Sequence, residues 1–158
     1  MKTLSLWGLA LATAIPLQEA ASEERPSGGM AVRIGWRGEA DPAWALAETG
    51  RWIVEILVPN EERAESARRA LAERGLAGLV TAEVWSAGRL PYPDNLANAI
   101  LADEEGTPPE EEMRRILAPG GVLQIGARRI RKPFPPEHDS WTHARHGPDG
   151  NMVSSDTA

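Results

Sequence analysis

The stretch LAPGGVLQIG, residues 117–126, decides the fold of this chain because it joins a charged helix to an apolar strand through a tight turn. The helix is predicted over Glu110 to Leu117, with acidic residues in its first turn and Thr107 or a neighbouring residue as its cap. The strand is predicted over Val122 to Ala127. A helix that leads directly into an apolar strand is typical of a β-α-β unit, whose strands are parallel.

The residues before this stretch alternate between apolar strands and amphipathic helices. Asp41-Pro42 and Asn60 are residues that favour helix starts, and the strand that follows Gly50 is apolar almost throughout, as in a sheet buried on both faces. The alternation predicts a doubly wound parallel sheet with strand order 3-2-1-4-5. The predicted strands are 30–34, 52–58, 79–85 and 99–102, and the predicted helices are 41–48 and 61–74.

Three segments together resemble the class I S-adenosylmethionine-dependent methyltransferases: the segment LAPGG at 117–121, the loop LPYPD at 90–94, and the helix 61–74 followed by Gly75-Leu76. The resemblance covers about Met30 to Gly126. It implies an α/β fold, a mostly parallel five-stranded Rossmann-like sheet with helices on both faces, truncated relative to a full methyltransferase because the last two strands are absent.

The loop after the first strand is where this family needs glycines, because the amino-acid end of the cofactor lies against the backbone and a Cβ would collide with it. Here the loop is GWRGEA, residues 35–40. Gly35 matches the first glycine, and Gly38 matches a later one only after a slip of one residue. Arg37 and Glu39 stand where later glycines belong, and with the bulky Trp36 they predict a poor lining for a cofactor pocket.

Two more family positions lie at strand ends. Val58 stands where the family has an acidic residue that accepts hydrogen bonds from the ribose hydroxyls. Ser86 stands where the family has an Asp that contacts the adenine, and Asn98 replaces an Asp before the fourth strand. The resemblance therefore assigns cofactor-binding positions to Gly35, Gly38, Val58 and Ser86, most of them changed, and it assigns no catalytic residue.

Two functions follow from this resemblance. The first is a methyltransferase-like domain with a degraded S-adenosylmethionine site and no cofactor, which serves as a non-catalytic accessory or interaction module. The second is an active methyltransferase with a diverged pocket that binds S-adenosylmethionine. In the second case Asp94, Glu55 and Tyr92 are the polar candidates near the strand ends.

The N-terminus has the layout of a secretory signal peptide over residues 1–22: Lys2, an apolar stretch from Leu4 to Ile15, and small residues at 20–22. A buried N-terminal helix is the alternative. Residues 23–29 are predicted to be a linker before a domain at 30–130. The protein is therefore expected to be exported, periplasmic or extracellular, without a transmembrane segment once the signal is cleaved.

Residues 131–158 form an irregular tail rich in Pro and His. Its segments 138–143, HDSWTH, and 150–154, GNMVS, resemble the entry to a pyrroloquinoline-quinone-type β-propeller of exported bacterial proteins. A third interpretation follows, in which the chain is the front end of a propeller redox or binding protein. The expected partner is then a C-terminal propeller domain or another protein. His143 and His146, with the carboxylates near them, are only a weak indication of a metal site, and no metal site is predicted.

Composition excludes some functions. The formal net charge of −6 argues against nucleic acid as a partner, because phosphate binding needs a basic face. The basic run 128–132, RRIRK, is interpreted as a solvated exit from the last strand. The absence of Cys rules out a disulfide, a thiolate metal site and a Cys nucleophile.

Overall fold

Six strands and three α-helices make up the part of the chain that the computed structural model describes, residues 26–86 and 88–135. The predicted signal peptide and most of the predicted tail, with its histidines and propeller-like segments, lie outside these residues. The strands are β1 Gly29–Ile34, β2 Trp52–Val58, β3 Val80–Val84, β4 Ala97–Ala102, β5 Leu117–Ile125 and β6 Arg128–Arg131. The helices are α1 Ala43–Ala47, α2 Glu61–Glu73 and α3 Glu110–Ile116, and a 3-10 turn spans Gly38–Ala40.

The strands form one sheet in the order β3-β2-β1-β4-β5-β6. The pairs from β3 to β5 are parallel, as the alternation of strands and helices predicted. Helices α1 and α2 pack on one face and α3 packs on the other, so the predicted doubly wound α/β class and strand order are confirmed.

The prediction for the basic run 128–132 was correct about the exposure of its arginines and wrong about its path, because the run does not leave the sheet. Its first four residues form β6, an antiparallel edge strand in which Arg128 pairs with Ile125 and Arg131 pairs with Val122. Gly126 connects β5 to β6 with a φ of 54°, a backbone conformation that glycine adopts without strain. The charged side chains suit an exposed edge, where they discourage pairing with another sheet.

The Pro119-Gly120-Gly121 segment is a bulge within β5 rather than a turn before it. Along β4 the pairing advances from Ala97 to Ala99, whereas along β5 it advances from Leu117 to Val122. The bulge remains hydrogen-bonded, because the N–H of Gly120 donates to the Lys132 carbonyl at 2.8 Å. Strand β5 consequently begins at Leu117, five residues before the predicted start at Val122.

The helix starts were predicted with mixed success. Asn60 caps α2, since its Oδ1 accepts a hydrogen bond from the N–H of Arg63 at 3.0 Å. Asp41 accepts a hydrogen bond from the N–H of Ala43 at 2.9 Å, at the start of α1. The predicted cap at Thr107 was wrong, because Pro109 precedes α3 and makes no side-chain cap bond.

No helix within residues 26–86 and 88–135 is long and apolar enough to cross a membrane. The longest, α2, has 13 residues, whereas a spanning helix needs about 20.

Candidate functional site

A cavity of about 1000 Å³ opens at the carboxyl ends of the parallel strands. Open α/β sheets bind their ligands at this edge, because the loops that follow neighbouring strands diverge there. The loops after β1, β2, β3 and β4 and the turn after β5 all contribute to the wall. The charged and polar lining residues are Arg37, Asn60, Arg63, Ser86, Asp103, Glu104 and Glu105, and the others are Ile34, Gly35, Leu57, Val58, Pro59, Trp85, Gly106 and Gly126.

Three of the four residues assigned to cofactor positions lie in this wall: Gly35, Val58 and Ser86. Gly38 does not line the cavity. It begins the 3-10 turn, and its carbonyl accepts a hydrogen bond from Nε1 of Trp44 at 3.0 Å, on the side of the loop that faces α1. The structure therefore brings together residues at the carboxyl ends of β1, β2 and β3. It places Gly38, the second glycine of the loop, outside the cavity wall.

The prediction that Trp36 and Glu39 line the pocket was wrong. The Trp36 ring packs edge-on against Trp44, with 5.3 Å between ring centroids. Glu39 forms an ion pair with Arg74, whose guanidinium also lies 4.4 Å from the centroid of the Trp44 ring. These contacts place the side chains of Trp36 and Glu39 beside Trp44 of α1 and Arg74 after α2, away from the cavity. Of the three residues predicted as a poor lining, only Arg37 lines the cavity.

Val58 and Asn98 differ in their relation to the cavity. Val58 ends β2 with 1% of its surface exposed, and it offers no side-chain hydrogen-bond acceptor. Asn98 lies within β4 near its amino end, where its Oδ1 accepts a hydrogen bond from the N–H of Met30 at 3.1 Å. Asn98 therefore holds the start of β1 and is not among the residues that line the cavity.

Arg33 is a buried cation that sequence reasoning missed. It lies in β1 with 1% of its surface exposed, and its Nε donates to both carboxylate oxygens of Asp41, at 3.1 and 3.0 Å. Its Nη2 donates to Oδ1 of Asp103 at 2.9 Å. The available signal was the arginine itself, because a charge in the middle of the apolar strand MAVRI requires a buried partner.

The same two aspartates also bind the glycine loop. Oδ2 of Asp41 accepts a hydrogen bond from the N–H of Arg37 at 2.9 Å. Oδ1 of Asp103 lies 2.7 Å from Nη2 of Arg37. Arg33, Arg37, Asp41 and Asp103 thus form a neutral cluster of two cations and two anions, here called the Arg33 cluster. It fixes the loop at the point where it enters the cavity.

The LPYPD loop is attached to α3 rather than to the cavity. The N–H of Leu90 donates to Oε1 of Glu112 at 2.7 Å. Arg115 donates to the carbonyl of Tyr92 at 2.9 Å and to Oδ1 of Asp94 at 2.6 Å. Hydrogen bonding from Arg115 lowers the pKa of Glu112 to about 2, which keeps this carboxylate ionised.

The polar residues proposed for an active pocket lie elsewhere, since Asp94, Glu55 and Tyr92 are all absent from the cavity wall. Tyr92 packs against the core on the α3 face, and its hydroxyl is buried without a hydrogen-bond partner among the described residues. Burial raises the pKa of Tyr92 well above its usual value, and the negative charge of Glu55 adds to the effect.

Within the described residues, no group of three or more His, Asp or Glu side chains is placed to hold a metal ion. The histidines of the tail, with the carboxylates near them, lie outside these residues.

Comparison with known proteins gives a likeness of fold. No protein-family model and no curated protein matches the sequence. Among solved structures, the chain is similar to the cyclase SpnF, with 28% identity and a TM-score of 0.54 over 62% of this chain and 38% of that one. It is also similar to a putative S-adenosylmethionine-dependent methyltransferase from Methanococcus maripaludis, with 24% identity and a TM-score of 0.54 over 63% and 48%.

A geranyl diphosphate C-methyltransferase from Streptomyces coelicolor A3(2), solved with S-adenosylhomocysteine, matches 62% of this chain and 39% of its own, with 18% identity and a TM-score of 0.53. The chain spans less than half the length of each of these three proteins. These likenesses show that the chain has the Rossmann-like fold of S-adenosylmethionine-dependent methyltransferases.

Proposed function

We propose that this domain is a methyltransferase-like scaffold whose S-adenosylmethionine site is degraded, and that it serves as a non-catalytic accessory or interaction module of an exported protein. The observation that carries the proposal is the ion pair between Arg37 and Asp103, which lies in the wall of the cavity beside Gly35. The glycine loop of this fold is the region that a cofactor's amino-acid end would approach, and here charged side chains already occupy it.

The end of β2 supports the same proposal. A ribose bound at the carboxyl edge needs an acceptor for its hydroxyl groups, and Val58 cannot supply one. A bound ribose would lose its solvent hydrogen bonds without replacement, at a cost of about 1–3 kcal/mol for each unpaired group. Asn60 follows closely, but its side-chain oxygen already caps α2. Both features support the proposal that this site does not bind S-adenosylmethionine.

Calorimetric titration of the full chain with S-adenosylmethionine and with S-adenosylhomocysteine tests the proposal. We expect no heat of binding for either ligand, whereas an active class I methyltransferase titrated in parallel should give a clear isotherm. Micromolar binding to this chain would overturn the proposal. The variant Val58→Asp is a matched probe, because it restores an acceptor at the end of β2 without changing the glycine loop.

An active methyltransferase with a diverged pocket is the second candidate. The size of the cavity and its position at the carboxyl edge favour it, together with the structural likeness to geranyl diphosphate methyltransferases solved with S-adenosylmethionine or S-adenosylhomocysteine. Formation of S-adenosylhomocysteine during incubation of the chain with S-adenosylmethionine and cell extract would support this candidate. If the chain forms no more S-adenosylhomocysteine than a heat-inactivated sample of the chain in the same extract, the result would count against this candidate.

Export is proposed from the sequence of residues 1–22 alone. Fusion of these residues to a reporter enzyme that is active only outside the cytoplasm tests it. We expect reporter activity from the natural sequence and its loss when charged residues replace Leu9 and Leu11. An inactive fusion whose reporter protein is found only in the cytoplasmic fraction would contradict export.

A further inference from the structure

Gly35 adjoins a carboxylate of its own chain. Its φ is 101°, and a Cβ added to it would lie 2.5 Å from Oδ2 and 3.2 Å from Cγ of Asp103. The carboxylate of Asp103 therefore rests directly on the Cα of Gly35, in the space that any other residue would fill with its side chain. A glycine in this position has a structural explanation that involves no bound ligand.

Two guanidinium groups hold that carboxylate from the other side. Nη2 of Arg33 and Nη2 of Arg37 approach the same oxygen, Oδ1 of Asp103, at 2.9 and 2.7 Å. The contact of Arg33 is a charge-assisted hydrogen bond, which is among the strong polar contacts of proteins, and that of Arg37 is an ion pair. Arg33 is fixed in orientation because Asp41 binds its Nε and because it is almost wholly buried. Arg33 is therefore held in place without Asp103, and Arg37, whose side chain is 56% exposed, adds the second positive charge from the loop.

We infer that Arg33, Arg37 and Gly35 form a carboxylate-binding site that Asp103 occupies from within the chain. The two arginines supply the charge, and the missing Cβ of Gly35 supplies the room for a planar carboxylate. Asp103 is joined to the end of β4, so its effective concentration at the site exceeds that of a free carboxylate. The site opens to the cavity, since 25% of the Asp103 side chain is exposed.

The inferred site takes a small monocarboxylate, such as formate or acetate, once the side chain of Asp103 is shortened. In the natural chain the carboxylate of Asp103 covers the surface of Gly35 that a ligand would contact. That this contact explains the loss of a ligand from the glycine loop rests on the proposed function. The binding site itself depends only on the geometry of the three residues and Asp103.

Chemical rescue tests the inference. Thermal unfolding of the full chain is followed for Asp103→Ala and Asp103→Asn in equal concentrations of sodium formate and sodium chloride. Removal of the carboxylate leaves two guanidinium groups with Asp41 as their one remaining carboxylate, so in chloride we expect Tm to fall by about 5–10 °C in both variants. In formate the Ala variant should regain at least about half of that loss, since a ligand that binds only the folded state raises Tm. The Asn variant should regain little, because its amide still fills the space.

Three results would overturn the inference: no loss of Tm in Asp103→Ala, no gain from formate in that variant, or an equal gain in the natural chain. Asp94→Ala is the matched control, because Asp94 pairs with Arg115 at an exposed site and its loss should not create formate dependence. If Asp103→Ala is unfolded in chloride, the folded fraction in formate, measured by circular dichroism, replaces Tm. Titration of the natural chain with S-adenosylmethionine tests the proposed function separately, so failure of one leaves the other standing.

Discussion

The guanidinium of Arg33 and the carboxylate of Asp41 form an ion pair, with Nε 3.0 Å from Oδ2, from which solvent is excluded on both sides. The two side chains are 1% and 0% exposed. Removing two charges from water costs several kcal/mol for each ion, and the cost is recovered only when both are fully hydrogen-bonded. The carboxylate of Asp41 meets this condition, because it also accepts hydrogen bonds from the N–H groups of Arg37 and Ala43. The pair therefore joins β1, the glycine loop and α1.

Replacement of Asp41 by Ala should lower the free energy of unfolding by about 3–5 kcal/mol, because it leaves the buried charge of Arg33 without its main partner. Urea denaturation followed by circular dichroism measures the change. The double variant Arg33→Met with Asp41→Ala should be less destabilised than the sum of the single variants, because no uncompensated charge remains. Glu39→Ala is the control: it removes a surface ion pair with Arg74 and should cost less than about 1 kcal/mol.

Gly35→Ala should be far more damaging than Gly38→Ala, although both glycines have a positive φ. The φ values are 101° and 64°, but a Cβ on Gly38 would meet no atom within 4 Å, whereas a Cβ on Gly35 would collide with Asp103. We expect a loss of about 1 kcal/mol for Gly38→Ala from backbone strain and at least about twice that for Gly35→Ala. Equal losses in urea denaturation would mean that the Asp103 contact contributes nothing.

Much of the fold was predictable because the apolar residues of buried strands and helices follow a regular pattern in the sequence. Strand β2 begins and ends where a run that is apolar except for Glu55 begins and ends, at Trp52 and Val58. The start of α2 follows from a single residue, Asn60, whose side chain caps it. The edge strand β6 was not predictable on this basis, because three of its four residues are arginines and its only apolar residue is Ile130.

The candidate site was only partly predictable. Gly35, Val58 and Ser86 meet at one cavity because each lies at or just after the carboxyl end of a parallel strand, and all such strands end at the same edge. The path of the loop between Gly35 and Asp41 depends on Trp36 packing against Trp44, which no local pattern encodes. The contact between Arg33 and Asp103 joins residues 70 positions apart. Only the placement of β1 beside β4 brings them together.

The contribution of Glu112 to stability should be lost as the pH falls below about 4.5. Hydrogen bonding from Arg115 lowers the pKa of Glu112 from its ordinary 4.5 to about 2 in the folded chain. The unfolded chain therefore takes up the proton first, so the stabilisation is fully present above about pH 4.5 and is lost as the pH falls towards 2. The difference in unfolding free energy between the natural chain and Glu112→Gln should shrink over this range. Urea titrations at a series of pH values measure it, and a difference that stays constant would contradict the prediction.

Lys132 should stabilise the β5 bulge by holding the end of α3 and the loop before β4 together. Its Nζ donates to Oδ1 of Asn95 at 2.6 Å and to the carbonyls of Arg114 and Leu117 at 2.9 and 2.7 Å. Burial lowers the pKa of Lys132 from its ordinary 10.5, as expected for a partly desolvated ammonium group.

Lys132→Met retains the aliphatic stem and removes all three hydrogen bonds, so we expect a loss of about 1–3 kcal/mol in the free energy of unfolding. Hydrogen exchange should locate the effect, with faster exchange at the N–H of Gly120, which donates to the Lys132 carbonyl. Arg128→Met is the matched control, because Arg128 lies in β6, the strand that Lys132 follows, and pairs with Glu110 at an exposed site. Unchanged exchange at Gly120 in Lys132→Met, or equal destabilisation of the two variants, would show that the ammonium group of Lys132 does not hold the bulge.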